Sequence, residues 1–483
     1  MFNQKTLKRV AQVAGCVACF GAMSTPAHAI NWLMLQGVEG KKAPDHRLFA
    51  FVQPAFTSTK GDPLQGIRGP LANANNGQQV AANTITPNFN KTNELYLRRA
   101  RLGARGRFTG PLKNSFTSKI NYFGLLALDD GLFNQPQFSR DRRPVSLDHA
   151  SLTFNHIPGA RIRAGLFKNP ITEEVFQAVA TIDFIEFTSF NATAALENFY
   201  SGTANVVGSP GTGTSAGSGQ RSAYGFSAAR DWGVQVFDSF KRGKWDLSYA
   251  VKVGRGEATH RGSDSDNNEE LYLYASAEYD LPGGRGPRKN GVKVYGWHQS
   301  GEREFYNDTN EEEFDRERFG IGVKGLGKFF GSKYKQRFGA ELEFAEGMIF
   351  LGPIGGVAGN GDVAIATDDD NKSRAISLEY GLYIGKWQFD ARWAREQRLY
   401  ESAANINDGN EREIDATTLG VTYHFTKKAR LTFNYVFQDV EQTDDYELLP
   451  GLNQNQVNTI NNNVGIATDS VGDRIGLQLT YIF

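Results

Sequence analysis

NELYLRRARLGARGRFTG, residues Asn93–Gly110, alternates with a period of two from Arg99 onward. Arg99, Arg101, Gly103, Arg105 and Arg107 share one face, and Ala100, Leu102, Ala104, Gly106 and Phe108 share the other. That is the period of a β-strand with one cationic face and one small or apolar face. Two architectures accept such a strand. In a soluble sandwich the apolar face packs on a core and the arginines meet water. In a membrane barrel the apolar face meets lipid and the arginines line a watery lumen. The reverse orientation in a membrane is excluded, because each arginine facing lipid at the midplane costs about 2–4 kcal/mol.

The rest of the chain decides for the barrel. Segments with strand character follow one another at 46–60, 93–109, 115–128, 145–156, 160–168, 230–240, 244–255, 268–280, 290–300, 316–329, 335–349, 373–385, 386–399, 412–426, 429–441 and 470–483. They predict about sixteen antiparallel strands, the even number that single-chain bacterial barrels carry. Alternation is clean in many of them. Leu247, Tyr249, Val251 and Val253 oppose Asp246, Ser248, Ala250 and Lys252, and Leu431, Phe433, Tyr435 and Phe437 oppose Thr432, Asn434 and Gln438. The connectors alternate as well. Short ones such as Pro158-Gly159 and Gly385-Lys386 are interleaved with long ones at 61–92, 129–144, 169–229, 256–267, 301–315, 350–372, 400–411 and 442–469. This segregation puts all long loops at one end, the outer-membrane arrangement, for which a sandwich has no use. The turn at 281–289 is long for the short set. The chain closes on Ile475, Leu477, Leu479, Tyr481 and Phe483 along one face, an amphipathic final strand with an aromatic last residue.

Residues 1–29 read as a secretory leader, with basic Lys5, Lys8 and Arg9, an apolar stretch from Val10 to Met23, and the small-residue site Ala27-His28-Ala29. Val13-Ala14-Gly15-Cys16 resembles a lipoprotein cleavage box, but the apolar run before it is too short. Cys16 and Cys19 are the only cysteines, so cleavage after Ala29 leaves a chain without thiol or disulfide chemistry. The expected organisation is a leader at 1–29, a short mature N-terminal segment at 30–45 without firm period, and a barrel at 46–483 with loop 169–229 folded inward. Basic and acidic residues number 53 each, and removal of the leader's three basic residues leaves a net charge of −3. Bulk charge therefore points to no nucleic-acid partner, and local placement must carry any charge argument. Beyond residue 29 no apolar run approaches the ~20 residues of a spanning helix. Gly at 53, Phe at 34 and Tyr at 18 suit a β-rich product.

Three stretches carry a resemblance to the phosphate-selective porin O/P family. The first is Arg98-Arg99-Ala100-Arg101-Leu102-Gly103 with Gly106 and Phe108. The second runs from Ala150–Phe154 through Pro158-Gly159 to Arg161-Ile162-Arg163-Ala164-Gly165-Leu166-Phe167-Lys168 and Pro170. The third is Glu173-Glu174. The likeness is good over about residues 93–190 and in the final strand, and architectural between them. It implies a homotrimer of sixteen-stranded barrels in the outer membrane of a Gram-negative bacterium, in contact with lipid and lipopolysaccharide. Each barrel would conduct small anionic solutes, with the third external loop folded into the pore. The chain departs from the family in its mixed lumen, since Glu270, Glu278, Glu341, Glu343, Glu379 and Asp390 are expected inward beside the cations.

The expected pore-lining cations are Arg99, Arg101, Arg105, Arg107, Arg161, Arg163, Lys252, Arg318 and Lys324, with Arg392 and Arg474 as further inward groups. Guanidinium groups pair with phosphate or carboxylate through planar, bidentate hydrogen bonds and stay charged at any working pH. A wall of them lowers the barrier to anions and raises it to cations. The competing reading makes them structural partners of the inward carboxylates. Lys168, Glu173, Glu174, Asp183 and Glu186 mark loop 169–229 as a constriction docked on the basic wall by its acidic residues, with Thr172 opening a short helix. Asp264, Asp266 and Asn268 have a calcium-loop spacing that Glu269 breaks, and Glu311-Glu312-Glu313 and Asp368-Asp369-Asp370 read as solvated loop charge. No HExxH or phosphate-cradling loop occurs, and the GxSxG match at Gly213–Gly217 falls in the Gly/Ser/Thr-rich tail of loop 169–229 rather than at the strand-to-helix turn of a nucleophile elbow, so neither an enzyme nor a metal or cofactor is expected. The expected function is passive diffusion of small hydrophilic solutes with anion preference. The alternatives are a channel without phosphate selectivity and a structural or adhesive barrel.

Overall fold

A computed structural model describes residues 31–40, 43–69, 72, 76–77, 81–82, 87–88, 93–109, 112–128, 145–195, 199–200, 223–224, 229–256, 268–284, 288–307, 310–347, 371–400, 409, 411–447 and 453–483. The expected leader with its cysteines, Asp264, Asp266 and Asp368 to Asp370 lie outside them. Sixteen antiparallel strands close into one barrel. In chain order they are β1 His46–Lys60, β2 Asn93–Arg107, β3 Ile120–Ala127, β4 Ser146–Phe154, β5 Arg161–Lys168, β6 Arg230–Arg242, β7 Trp245–Gly254 and β8 Glu270–Asp280. Then come β9 Gly291–Asn307, β10 Asn310–Gly327, β11 Lys335–Glu346, β12 Lys372–Ile384, β13 Trp387–Tyr400, β14 Arg412–His424, β15 Ala429–Gln442 and β16 Asp473–Ile482. Each strand pairs with its neighbours in sequence, and β1 closes the ring on β16 through Phe51↔Ile482 and Val52↔Tyr481. The backbone N–H of Phe483 donates to Ala50 O at 2.9 Å, which seats the terminal aromatic beside the first strand. Closure leaves no free edge, the condition for a sheet in lipid.

The two faces follow the alternation of the sequence. Leu102, Leu152, Val234, Leu247, Val294, Ile321, Leu342, Leu378, Leu419 and Leu477 are exposed outward. An apolar surface of that extent needs lipid rather than water. Aromatic pairs ring the short-turn end, with Trp245–Tyr279 at 5.2 Å, Trp387–Tyr423 at 4.8 Å and Tyr481–Phe483 at 4.8 Å between centroids. Phe319–Phe344 at 4.9 Å and Tyr435–Phe437 at 4.6 Å stand toward the other end. Such paired girdles mark the two interfaces of a membrane barrel. Two-residue turns join Arg242 to Trp245 and Ile384 to Trp387, with Gly243 and Gly385 each at φ +62°, a conformation that favours glycine.

Three elements differ from the sequence reading. Within the expected loop 301–315, residues 301–307 and 310–315 are strand, and β9 and β10 pair from Gly291↔Leu326 out to Asn307↔Asn310. The tripeptide Glu311-Glu312-Glu313 therefore belongs to a strand rather than to a loop. The connector 442–469 contains a helix, α3 Gln454–Asp469, which starts on an Asn453–Gln456 capping box. Its Ala467 packs with Leu64, Ile67, Ile414 and Val440 over one side of the external mouth. Asn463 fixes the contact by exchanging side-chain bonds with Arg68 N and Arg68 O, each at 2.9 Å. Finally, the strand β2 is not regular. Gln53 pairs with Arg99, but Pro54 pairs with Leu97, so Arg98 is an extra residue. A bulge of this kind changes the phase of the strand. Leu95 thereby faces outward at 78 % exposure, while both Arg98 and Arg99 are buried in the lumen.

Candidate functional site

The lumen is not a clear bore. Two stretches of the chain's own backbone enter it. The first is the N-terminal segment, residues 31–40, with the single helical turn α1 Trp32–Leu35. Trp32, Leu33 and Met34 are buried there against inward residues that include Phe237, Tyr272, Tyr274, Tyr295 and Trp297. Gly37 reverses the segment at φ +82°, and a Cβ built there would lie 3.4 Å from both Phe123 Cβ and Thr153 Oγ1. Asn31 Nδ2 donates to Ser248 Oγ at 2.5 Å, and Glu39 N donates to Asn121 Oδ1 at 3.3 Å.

The arginines of the opening stretch hold this segment. Arg105 NH1 donates to Leu35 O at 2.7 Å and NH2 to Val38 O at 3.1 Å, and its Nε pairs with Glu39. Arg163 NH2 donates to Leu33 O at 3.0 Å and to Gln36 O, and Arg107 donates to Gly40 O. Arg161 lies on the same wall but is bound to Asn155 at 2.9 Å and to Asp238. These four inward cations are therefore engaged by the protein itself.

The second stretch is the connector after β5. It begins with a buried run, Asn169 to Phe176, containing the single turn α2 Glu173–Phe176 capped by Thr172. Lys168 binds it from below, donating to Val175 O at 2.7 Å and Gln177 O at 2.6 Å. Lys252 is fully buried and clamps the loop's root through Asn169 Oδ1 at 2.7 Å, Asp231 O at 2.8 Å and Phe167 O at 3.2 Å. Arg318 holds the far end through Ala194 O at 3.1 Å, and Lys324 reaches Gln177 Oε1 at 3.4 Å. Lys252 and Arg318 thus tie loop to wall rather than face an open path.

The acidic residues of the loop dock mainly on the wall opposite the opening strand. Glu173 meets Lys293 at 2.6 Å, Glu174 meets Arg392 at 2.5 Å, and Asp183 meets Arg337 at 3.2 Å, Arg288 at 3.5 Å and Arg430 at 3.7 Å. Glu186 spans both sides, with Arg98 at 2.8 Å and Arg474 at 3.7 Å. The sequence reading placed these acids on the arginines of β2 and β5. Only Arg98, which that reading did not single out as lining the pore, meets one. Burial pushes the Asp183 carboxyl up, but the three guanidinium groups outweigh it and hold it below the usual carboxylate range. Glu186 is likewise held down, with Arg98 and Arg474 overcoming its burial. Burial wins at Glu174, whose carboxyl is raised in spite of Arg392.

One cluster is predominantly positive among the described residues. Arg101 Nε and Arg230 NH2 converge on Asp148 Oδ2 at 2.9 and 3.1 Å. Arg230, Asp148, Arg99 and Arg101 are the charged groups that act most strongly on the Lys168 ammonium. All five groups are buried, and the Nε of Arg230 has no hydrogen-bond partner among the described residues. Asp148 enters through a second bulge: Leu125 pairs with His149 and Leu126 with Leu147, leaving Asp148 as the additional residue. Neither Asp148 nor Arg230 stood out in the sequence, since strict alternation hides a bulge residue and Arg230 opens its strand.

No family model and no curated protein matches the chain. Solved structures of similar fold include the outer membrane channel DcaP of Acinetobacter baumannii, at 13% identity over 93% of this chain and 100% of that chain with a TM-score of 0.47. OprB of Pseudomonas putida shows 10% identity over 91% and 94% of the two chains, TM-score 0.47. OmpF of Salmonella typhi shows 11% identity over 91% and 97%, TM-score 0.46. Values this low carry no argument about family, solute or assembly. The barrel assignment stands on the strand pairing and on the apolar outer face.

Proposed function

We propose that this barrel is an outer-membrane channel for passive diffusion of small hydrophilic solutes, with a preference for small anions such as phosphate. The observation that carries the reading is the cluster of Arg99, Arg101, Lys168 and Arg230 around the carboxylate of Asp148. Buried like charges repel, and a fold keeps such a surplus where an anion can complete it. The unpartnered Arg230 Nε offers a donor to that anion. The resemblance to the phosphate-selective porins supports the same sign of selectivity. In this reading the anion-recognising groups are Arg99, Arg101, Lys168 and Arg230, and the loop carrying Glu173, Glu174, Asp183 and Glu186 is the constriction. Arg105, Arg107 and Arg163 shape the lumen indirectly.

The same reading includes a homotrimer in contact with lipid. Supporting it, the outer surface between β2 and β5 is recessed, with small Ala104, Ala150 and Ala164 set among Leu48, Leu102 and Leu126. A structural barrel without through-flow is the second reading, favoured by the filling of the lumen.

Planar bilayers separate the two. The channel reading expects conductance and, under a potassium chloride gradient, a reversal potential of anion sign that moves toward zero in Arg99→Gln with Arg230→Gln. A folded, inserted protein without conductance would establish the structural barrel. Cation selectivity would overturn the anion reading while leaving the channel intact.

A further inference from the structure

We infer that residues 31–40 are a pore-defining plug: a piece of the mature N-terminus that occupies the lumen and sets both its free section and the position of the constriction loop. The inference rests on the channel reading and concerns its bore rather than its ion sign. Three observations carry it. The segment lies along one side of the lumen, bonded to Asn121 on β3, to Arg163 on β5 and to Ser248 on β7. Wall arginines hold it mainly through its backbone, at the carbonyls of Leu33, Leu35, Gln36, Val38 and Gly40. It is also bonded to the loop, through Trp32 Nε1 to Glu173 Oε1 at 2.9 Å and Gln36 Nε2 to Phe176 O at 3.0 Å.

A backbone-directed grip has a chemical meaning. A guanidinium that serves two carbonyls draws on the segment's backbone rather than on its charge, so the donors of Arg105, Arg107 and Arg163 can be satisfied by ten residues that carry one carboxylate, Glu39. The apolar Trp32, Leu33 and Met34 share one buried cluster with the loop's Phe176 and with Tyr272, Tyr274, Tyr295 and Trp297, inward aromatics that an open aqueous bore would wet. Withdrawal of the segment would therefore uncover an aromatic wall, free Arg105 and Arg163 to meet solutes, and remove two bonds from the loop.

The test compares the full mature chain with a chain lacking residues 31–40, each inserted in planar bilayers. The plug expects the shortened barrel to conduct about twofold more or better, with the ion preference keeping its sign. A folded shortened barrel with the conductance of the full chain overturns the plug. Silence from both proteins overturns it together with the channel reading. Silence from the full chain and current from the shortened one supports the plug and rejects only an open resting channel. If the shortened chain does not assemble, Arg105→Gln with Arg163→Gln serves instead, since both side chains face the lumen and not lipid. The plug expects a higher conductance from that variant, whereas arginines acting as a charge wall give an equal or lower one with weaker anion preference. The latter result overturns the plug.

Discussion

Trp32 Nε1 and Lys293 Nζ share one acceptor, Oε1 of Glu173, at 2.9 and 2.6 Å. One oxygen thereby joins the N-terminal segment, the in-folded loop and the wall at β9. All three side chains are buried. Glu173→Gln preserves an acceptor for the indole but takes from the buried Lys293 ammonium the negative charge at 2.6 Å. We expect a loss of about 1.5–3 kcal/mol from the single change, and less from Glu173→Gln combined with Lys293→Met. Urea unfolding of the inserted barrel, run as a double-mutant cycle, measures this. Additive losses would show that the pair is not coupled.

Acid should loosen the loop. The carboxyls of Asp183 and Glu186 are held below their ordinary range when docked. A lowered docked-state pKa contributes stability that is fully present above the free-state value, near 4, and is lost as pH falls through the docked value. Glu174 works in the opposite sense, because its raised carboxyl favours docking once protonated. Two carboxylates against one predict net weakening as the pH drops below about 4. Proteolysis of the loop at pH 7 and pH 3 reads the effect. Asp183→Asn should lose most of the difference between the two conditions, and an undiminished difference would place the acid response elsewhere.

The recess outside β2 to β5 gives a test of assembly. Ala150 lies in it beside Ala104 and Ala164. Ala150→Trp adds bulk without charge, so the barrel remains compatible with lipid. If a second subunit seats there, crosslinking in mild detergent should shift from trimer to monomer while the monomer keeps its heat-resistant fold. Unchanged crosslinking would move the subunit contact to another face.

The barrel was legible because its strands stand between two different solvents. Leu247, Tyr249, Val251 and Val253 had to meet lipid, and Asp246, Ser248 and Lys252 had to avoid it, so alternation was enforced by energy. Where that contrast ends, legibility ends. The strands β9 and β10 continue through Glu302 to Glu313, beyond the apolar belt, and a charged run there reads as loop. The lumen was harder still. Its arginines could be placed inward from the alternation, but their partners could not, because Trp32 and Glu173 are 141 residues apart and Arg392 and Glu174 are 218 apart. The apolar quartet Trp32-Leu33-Met34-Leu35, standing outside any strand, was the one sequence signal that something else needed burial.

The bulge at Arg98 allows the sharpest distinction between register and charge. With the extra residue, Leu95 and Leu97 face away from the lumen and Tyr96 lies opposite Ala55, which is buried. Arg98 NH1 donates to Tyr96 at 2.9 Å and to Glu186 at 2.8 Å. Arg98→Ala keeps the backbone count and removes these bonds. Glu186 then retains Arg474 at 3.7 Å, so we expect docking to weaken by roughly 1.5–3 kcal/mol while the barrel still assembles. Deleting Arg98 tests the bulge itself. Leu97 then follows directly on Arg99, so regular period two keeps Leu95 and Leu97 outward and Tyr96 inward. We expect the deletion to insert as a barrel and to weaken docking about as much as Arg98→Ala. Heat-modifiable migration on gels distinguishes folded from unfolded chains for both variants, and loop proteolysis measures docking. Failure of the deletion variant to assemble would mean that the barrel needs the extra residue for its local bend, and that the bulge does more than deliver Arg98 to Glu186.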